Sequence, residues 1–182
     1  MKFFLLFALA IPSFAFSQKK ITTKTTKPYF SFDAEMMKYS SDGPRPAASI
    51  SFGIQGKIIS GGIGALITQL NGTGPAYIPI FAQLRAFQQK KKASPLVQVR
   101  IGYGTYSKKI LQQTGAYQFT TTKMPFGGAY FQPGIGVRVP SKKMSVNIIA
   151  SYVNSTFNVD EKYADSYSYG LDGFTISVGL QF

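Results

Sequence analysis

The feature that most constrains this chain is an alternation of apolar and polar residues with a period of two, repeated along most of its length. In the final segment, from Phe174 to Phe182, every second side chain is apolar. Successive side chains of a strand point to opposite faces, so the pattern predicts strands with one apolar and one polar face. No long segment has a helical period. The chain therefore belongs to the all-β class.

The alternation divides into eight segments. Each segment is long enough to cross a membrane if it is tilted. The predicted strands lie at roughly 29–39, 47–56, 58–70, 76–88, 95–107, 126–139, 143–154 and 173–182.

The connections between these segments alternate in length. Short ones read "QKKKAS" and "PSKK", whereas the two longest cover 107–125 and 155–172. Both long connections fall at the same end of an up-and-down arrangement. This layout predicts an eight-stranded antiparallel up-and-down transmembrane β-barrel, with short turns on one rim and long loops on the other.

The amino terminus has the pattern of an export signal. Lys2 precedes an apolar run that is too short to span a bilayer as a helix, and Ala15-Phe16-Ser17 fits a small-residue cleavage site. We therefore expect a signal peptide over 1–17, a periplasmic tether over 18–28 and the barrel over 29–182.

Composition excludes several classes of chemistry. The chain of 182 residues has no cysteine and no histidine, so disulfides, thiol catalysis and imidazole catalysis are absent. Charged residues make up only 15% of it, against about 25% in soluble domains. The net charge of +13 includes short lysine clusters between apolar segments, at Lys90–Lys92, Lys108–Lys109 and Lys142–Lys143. These clusters indicate solvated turns, and we expect no nucleic-acid partner.

The direction of the apolar face separates two kinds of barrel. A soluble lipocalin-like barrel has apolar residues inside and charges outside, and a membrane barrel has the reverse. The polar faces here carry small residues and isolated arginines, which fits a crowded interior better than a water-facing surface. Six tyrosines near strand ends are interpreted as aromatic girdles at the membrane interfaces: Tyr29, Tyr39, Tyr77, Tyr103, Tyr106 and Tyr152.

Four segments, "PFGGAYFQPGIGVRVP", "PLVQVRIGYGTYS", "YIPIFAQLRAF" and "ISVGLQF", resemble the small outer-membrane β-barrels of Gram-negative envelopes, the OmpA/OmpX-type barrel domains. The resemblance covers nearly the whole mature chain and implies an outer-membrane location, without an activity. It also implies contact with outer-membrane lipid and lipopolysaccharide, and recognition of the closing strand by the barrel-assembly machinery. The expected assembly signal consists of Phe182, Leu180 and Val178.

Five charged residues fall on the predicted lumen faces. A buried unpaired charge costs several kcal/mol, so the two carboxylates and three guanidinium groups should form ion pairs. An acid–base pair or an ion gate is the functional interpretation, and a salt-bridged plug is the structural one, which we favour because no nucleophile or histidine accompanies them. The predicted lumen salt-bridge cluster is Asp33, Glu35, Arg85, Arg100 and Arg138.

The sequence thus predicts a monomeric, non-enzymatic barrel with no catalytic residue, no cofactor and no metal site. Asp160, Glu161 and Asp165 miss the spacing of a calcium loop. Its role would be structural, adhesive or binding, through loops in which Tyr163, Tyr167 and Tyr169 form the expected partner surface. The alternatives are a small channel or carrier for hydrophobic solutes, a soluble periplasmic lipocalin-like barrel and, last, a lipid-modifying enzyme.

Overall fold

The computed structural model describes residues 26–39, 43–69, 76–88, 93–113, 119–158 and 168–182. The signal peptide and most of the tether predicted from the sequence lie outside these residues. Eight strands are present in the part of the chain described. They are β1 (Lys27–Tyr39), β2 (Arg45–Gln55), β3 (Ile59–Gln69), β4 (Ala76–Phe87), β5 (Ser94–Gln113), β6 (Phe119–Pro140), β7 (Ser145–Asn158) and β8 (Ser168–Gln181).

Each strand pairs antiparallel with its neighbour in the chain, and β8 pairs with β1 to close the barrel. The closing register sets Ser31 opposite Gln181 and Tyr39 opposite Gly173. The Phe182 amide and carbonyl extend this seam through two backbone hydrogen bonds to Phe30, at 2.9 and 3.3 Å. Closure leaves no free sheet edge, and the predicted eight-stranded up-and-down barrel is confirmed. Within the described ranges, no helix has the length and hydropathy of a membrane span.

Two hairpins are longer than the sequence predicts. The β5–β6 pair continues to Gln113 opposite Phe119, so most of the segment 107–125 is paired strand and not loop. The β7–β8 pair, at the same end of the barrel, likewise continues as far as Asn158 opposite Ser168. The alternation fades in these extensions, as in "TTTK" at 120–123, because neither face there needs to be uniformly apolar.

The outer wall of the barrel is apolar. Side chains that alternate with the buried ones point outward, including Phe52, Ile80 and Ile135, which are more than half exposed. The exposed charged side chains among the described residues occur near the two rims. They are Lys27, Lys57, Lys142 and Lys143 toward the short turns, and Lys38 and Asp172 toward the long connections. A belt without charge therefore surrounds the barrel.

The tyrosine girdle predicted from the sequence is wrong for four of its members. Tyr29, Tyr39 and Tyr77 are buried inside the lumen, at 4%, 1% and 0% exposure. Tyr106 is partly buried and packs against the upper part of the lumen interior. Tyr103 and Tyr152 do face outward, at 58% and 38%. The reason is parity: the buried tyrosines have the same parity as the charged lumen residues of their strands, and position near a strand end does not override it.

Candidate functional site: the filled lumen

An ion-paired layer crosses the middle of the lumen. The Asp33 carboxylate accepts hydrogen bonds from Arg85 and Arg100, with Oδ2 at 2.9 Å from an Nη2 of each. Arg100 also donates through Nη1 to Glu35, so it bridges both carboxylates. The side chains that form these pairs are fully shielded from solvent. Strand β1 thus supplies the two anions, and β4 and β5 supply the two cations from the opposite wall.

Amides and hydroxyls complete the coordination of these charges. Arg100 donates through Nε to Gln83 at 2.9 Å, and Arg85 donates through Nε to Gln98 at 2.7 Å. Ser49 donates to Glu35 at 2.9 Å, and Gln132 donates to its other oxygen at 3.1 Å. Hydrogen bonds to ionised groups are stronger than neutral ones, and buried networks of this kind hold their members in one arrangement.

Above this layer, toward the long connections, an apolar cluster fills the lumen. Tyr130 donates to Gln132 of the ionic layer and lies beside Phe81, with ring centroids 6.1 Å apart. The Arg100 guanidinium lies over the same Phe81 ring at 4.7 Å, a cation–π contact that joins the two layers. The upper cluster consists of Met37, Tyr39, Ala47, Leu66, Tyr77, Phe81, Tyr130 and Val153.

Arg138 does not join the predicted salt-bridge cluster. It lies nearer the short turns, where it donates to Gln55 at 3.2 Å and its guanidinium lies 4.0 Å from the centre of the Phe87 ring. It makes no ion pair with the carboxylates of the described residues. The sequence analysis grouped Arg138 with the other four because it too points inward from its strand, but its height along the barrel axis differs from theirs.

The geometry favours a plug over acid–base chemistry. Asp33 and Glu35 are both held by arginine and are inaccessible to a substrate. Among the residues that the structure describes, no group of three potential metal ligands occurs. The ionic layer and the upper cluster together obstruct the path along the barrel axis, which also weighs against an ion gate.

The other predicted site residues are placed as follows. Phe182, Leu180 and Val178 face outward, at 57%, 37% and 50% exposure. Tyr163 and Tyr167 lie outside the described residues. Tyr169 belongs to β8, where its backbone is paired with Phe157.

Sequence reasoning did not identify Tyr130, Phe81 and Gln132 as partners of the charges. Their parity marks them as inward-facing, since Phe81 is four residues before Arg85 and Gln132 is six before Arg138. A search for polar or aromatic residues of the same parity as the charges would have found them.

The chain is similar to solved structures, one of which supports the fold. Neisserial surface protein A (NspA) matches with a TM-score of 0.62 at 11% identity, over 87% of this chain and 98% of that one. The N-terminal barrel domain of Pseudomonas aeruginosa OprF gives 0.49 at 11% identity, over 87% and 100%. Yersinia pestis Ail, solved with the heparin analogue sucrose octasulfate, gives 0.45 at 11% identity, over 86% and 97%. No protein-family model and no curated protein sequence matches the chain.

Proposed function

We propose that this chain is an integral outer-membrane β-barrel that works as a closed, non-enzymatic scaffold and presents its long hairpins to a partner. The observation that carries the proposal is the charge-free apolar belt around a closed barrel whose lumen is filled. An exposed apolar surface of this extent is unstable in water and is matched by lipid hydrocarbon. A water-filled or ligand-binding lumen would instead need open space, which the ionic layer and upper cluster occupy.

The belt also weighs against the soluble lipocalin-like barrel, in which the apolar face points inward. The filled lumen weighs against a channel or a carrier for hydrophobic solutes, and no feature of the described residues favours either. The similarity to NspA supports the fold. The proposed outer-membrane location is supported in addition by the export pattern of 1–17. The proposed surroundings are outer-membrane lipid and lipopolysaccharide, with assembly by the barrel-assembly machinery and a monomeric state.

The test is the behaviour of the native protein in cell envelopes. After washing with high salt and with alkaline carbonate, the protein should remain in the outer-membrane fraction and migrate faster in gels before heating than after it. Release by carbonate would show a peripheral or soluble protein and would contradict the proposal.

The adhesive role is tested separately at the proposed partner surface of Tyr163, Tyr167 and Tyr169. Aromatic residues anchor many interfaces, so the triple alanine variant should lose cell-surface binding while keeping its membrane level. A matched control replaces Tyr103 and Tyr152, which are on the outer wall and point away from the lumen. Equal loss in both variants would place the function outside the hairpin connection.

A further inference from the structure

The lower lumen, on the side of the short turns, holds an excess of positive charge. The buried charged side chains of the described barrel are two carboxylates, Asp33 and Glu35, and three guanidinium groups, Arg85, Arg100 and Arg138. Arg85 and Arg100 take both carboxylates, so Arg138 remains without a counter-charge. Arg85 adds like-charge repulsion to it. A buried cation in this position calls for an anion.

Hydrogen-bond donors at this mouth also lack partners. Arg138 is 8% exposed, and its Nη1 has no acceptor. Ser145, 2% exposed, lies on the neighbouring strand opposite Pro140, and its hydroxyl is unpaired as well. The Gln55 Oε1 does not accept a hydrogen bond from these unpaired donors, because it already accepts one from Arg138 Nη2 and one from Gln181. Buried polar groups are nearly always satisfied, so these two unpaired donors, one of which belongs to the Arg138 cation itself, indicate a ligand. Asn147, opposite Arg138, adds an unpaired buried acceptor, its Oδ1.

The rim around this mouth attracts anions. Lys27, Lys57, Lys142 and Lys143 are exposed there, and the described residues of this rim include no acidic side chain. Clustered charge of one sign raises the local concentration of the opposite ion. The planar guanidinium fork matches the oxygens of a phosphate group.

We propose that the short-turn mouth of the barrel binds a phosphate-type oxyanion on Arg138 and Ser145. The oxyanion is a free phosphate ion or the phosphate of a phospholipid headgroup, which reaches this rim if the barrel sits in a bilayer. The headgroup source rests on the proposed membrane location, whereas binding of the free ion does not.

The test uses the full mature chain, refolded in a maltoside detergent that carries no phosphate and with its arginines labelled with ¹⁵N. Titration with inorganic phosphate at constant ionic strength should move the Arg138 side-chain resonance of the unsubstituted protein along a saturable curve. Isothermal titration calorimetry under the same conditions gives the affinity of that protein and of each variant. Arg138→Gln should weaken binding roughly tenfold or more, because a charge-assisted hydrogen bond is lost. Lys142→Gln removes the same charge from the rim and should leave the affinity within about twofold.

Measurements in two kinds of bilayer identify the source of the oxyanion. In nanodiscs of phosphatidylcholine and of phosphatidylglycerol without added phosphate, a shifted resonance in either lipid identifies a headgroup. A shift that requires added phosphate identifies the free ion. Arg138→Lys keeps the charge but loses the planar guanidinium fork. It is the conservative variant that distinguishes loss of the site in Arg138→Gln from misfolding of that variant. Unsaturable shifts, or equal loss in Lys142→Gln, would show diffuse charge only. The absence of a shift in every condition would show that Arg138 binds no oxyanion. Either result overturns the proposal.

Discussion

Gly179 gives the Asp33 carboxylate the space it occupies. The two residues are opposite each other across the β1–β8 seam, and a Cβ at position 179 would collide with Asp33 Oδ1. A strand interior is a poor place for glycine unless another group approaches closely, and here that group is one end of two ion pairs. The missing side chain is therefore part of the ionic layer.

We expect Gly179→Ala to destabilise the barrel by about 1–3 kcal/mol through overpacking, with more if Asp33 is displaced from its arginines. The measurement is the free energy of unfolding in urea in the presence of lipid vesicles. Gly170→Ala on the same strand is the matched control, because a Cβ there meets nothing within 4 Å. Equal stability of the two variants would contradict the packing account.

The bridge between Glu35 and Arg100 should appear as an energetic coupling. Arg100→Ala should cost roughly 3–5 kcal/mol, since it leaves the buried Glu35 without a cation. Glu35→Ala should cost less, because Arg100 keeps its ion pair with Asp33. The double variant should lose less than the sum, because it removes both charges together. Unfolding of all four proteins in one set of conditions gives the cycle. Additive losses would mean that the two residues do not share a network.

At the scale of single elements, β8 has two separate roles. Its backbone closes the ring against β1, and its outward side chains from Phe174 to Phe182 cover part of the apolar belt. In lipid, each unsatisfied backbone group costs several kcal/mol, so closure depends mainly on the seam and little on any one side chain. From the resemblance to outer-membrane barrels we propose a third, kinetic role for Phe182, as a signal that is recognised during assembly.

Phe182→Ser should therefore lower the amount of protein in the outer membrane far more than it lowers the stability of refolded protein. Loss of the apolar contact costs at most about 1.5–3 kcal/mol, and the Phe182 backbone bonds to Phe30 remain possible. Phe174→Ser is the control: this residue lies on the same outward face and is 71% exposed. Membrane levels and unfolding free energies are measured side by side. If both variants reach the membrane normally, the assembly-signal hypothesis must be abandoned.

At the scale of the whole molecule, the barrel encloses a solid interior. The upper cluster, the ionic layer and the cation–π contact between Arg100 and Phe81 form one continuous packing across the lumen. Eight strands leave room for side chains and little more. The molecule thus resembles a globular protein core enclosed by a sheet, with an outer surface adapted to lipid.

We accordingly expect no stable openings of nanosiemens size in planar bilayers. The residues that would have to move are held by ion pairs, which open only at high energetic cost. Single-channel recording on the refolded protein, with a porin prepared in the same detergent as a positive control, provides the measurement. Large steady openings would require additional strands or an oligomeric pore, and would contradict the plug.

The sequence by itself determined which side of the sheet each residue occupies. Parity is local, since the pleat of a strand reverses every residue regardless of the rest of the fold. It separates Asp33 and Arg85 from their apolar neighbours, and applied consistently it would have placed Tyr39 and Tyr77 inside. The eight strands, and the all-β class, follow from the same pattern.

Only the tertiary structure decided which inward residues meet. The height of a residue along the axis depends on strand tilt and on the stagger accumulated around the closed ring, which no single segment encodes. For this reason Arg85 and Arg100 reach Asp33, whereas Arg138, which also points inward from its strand, lies beside Gln55 and Phe87. The extension of the β5–β6 hairpin to Gln113 opposite Phe119 is likewise seen only in the backbone pairing, because the alternation of side chains there no longer indicates a strand.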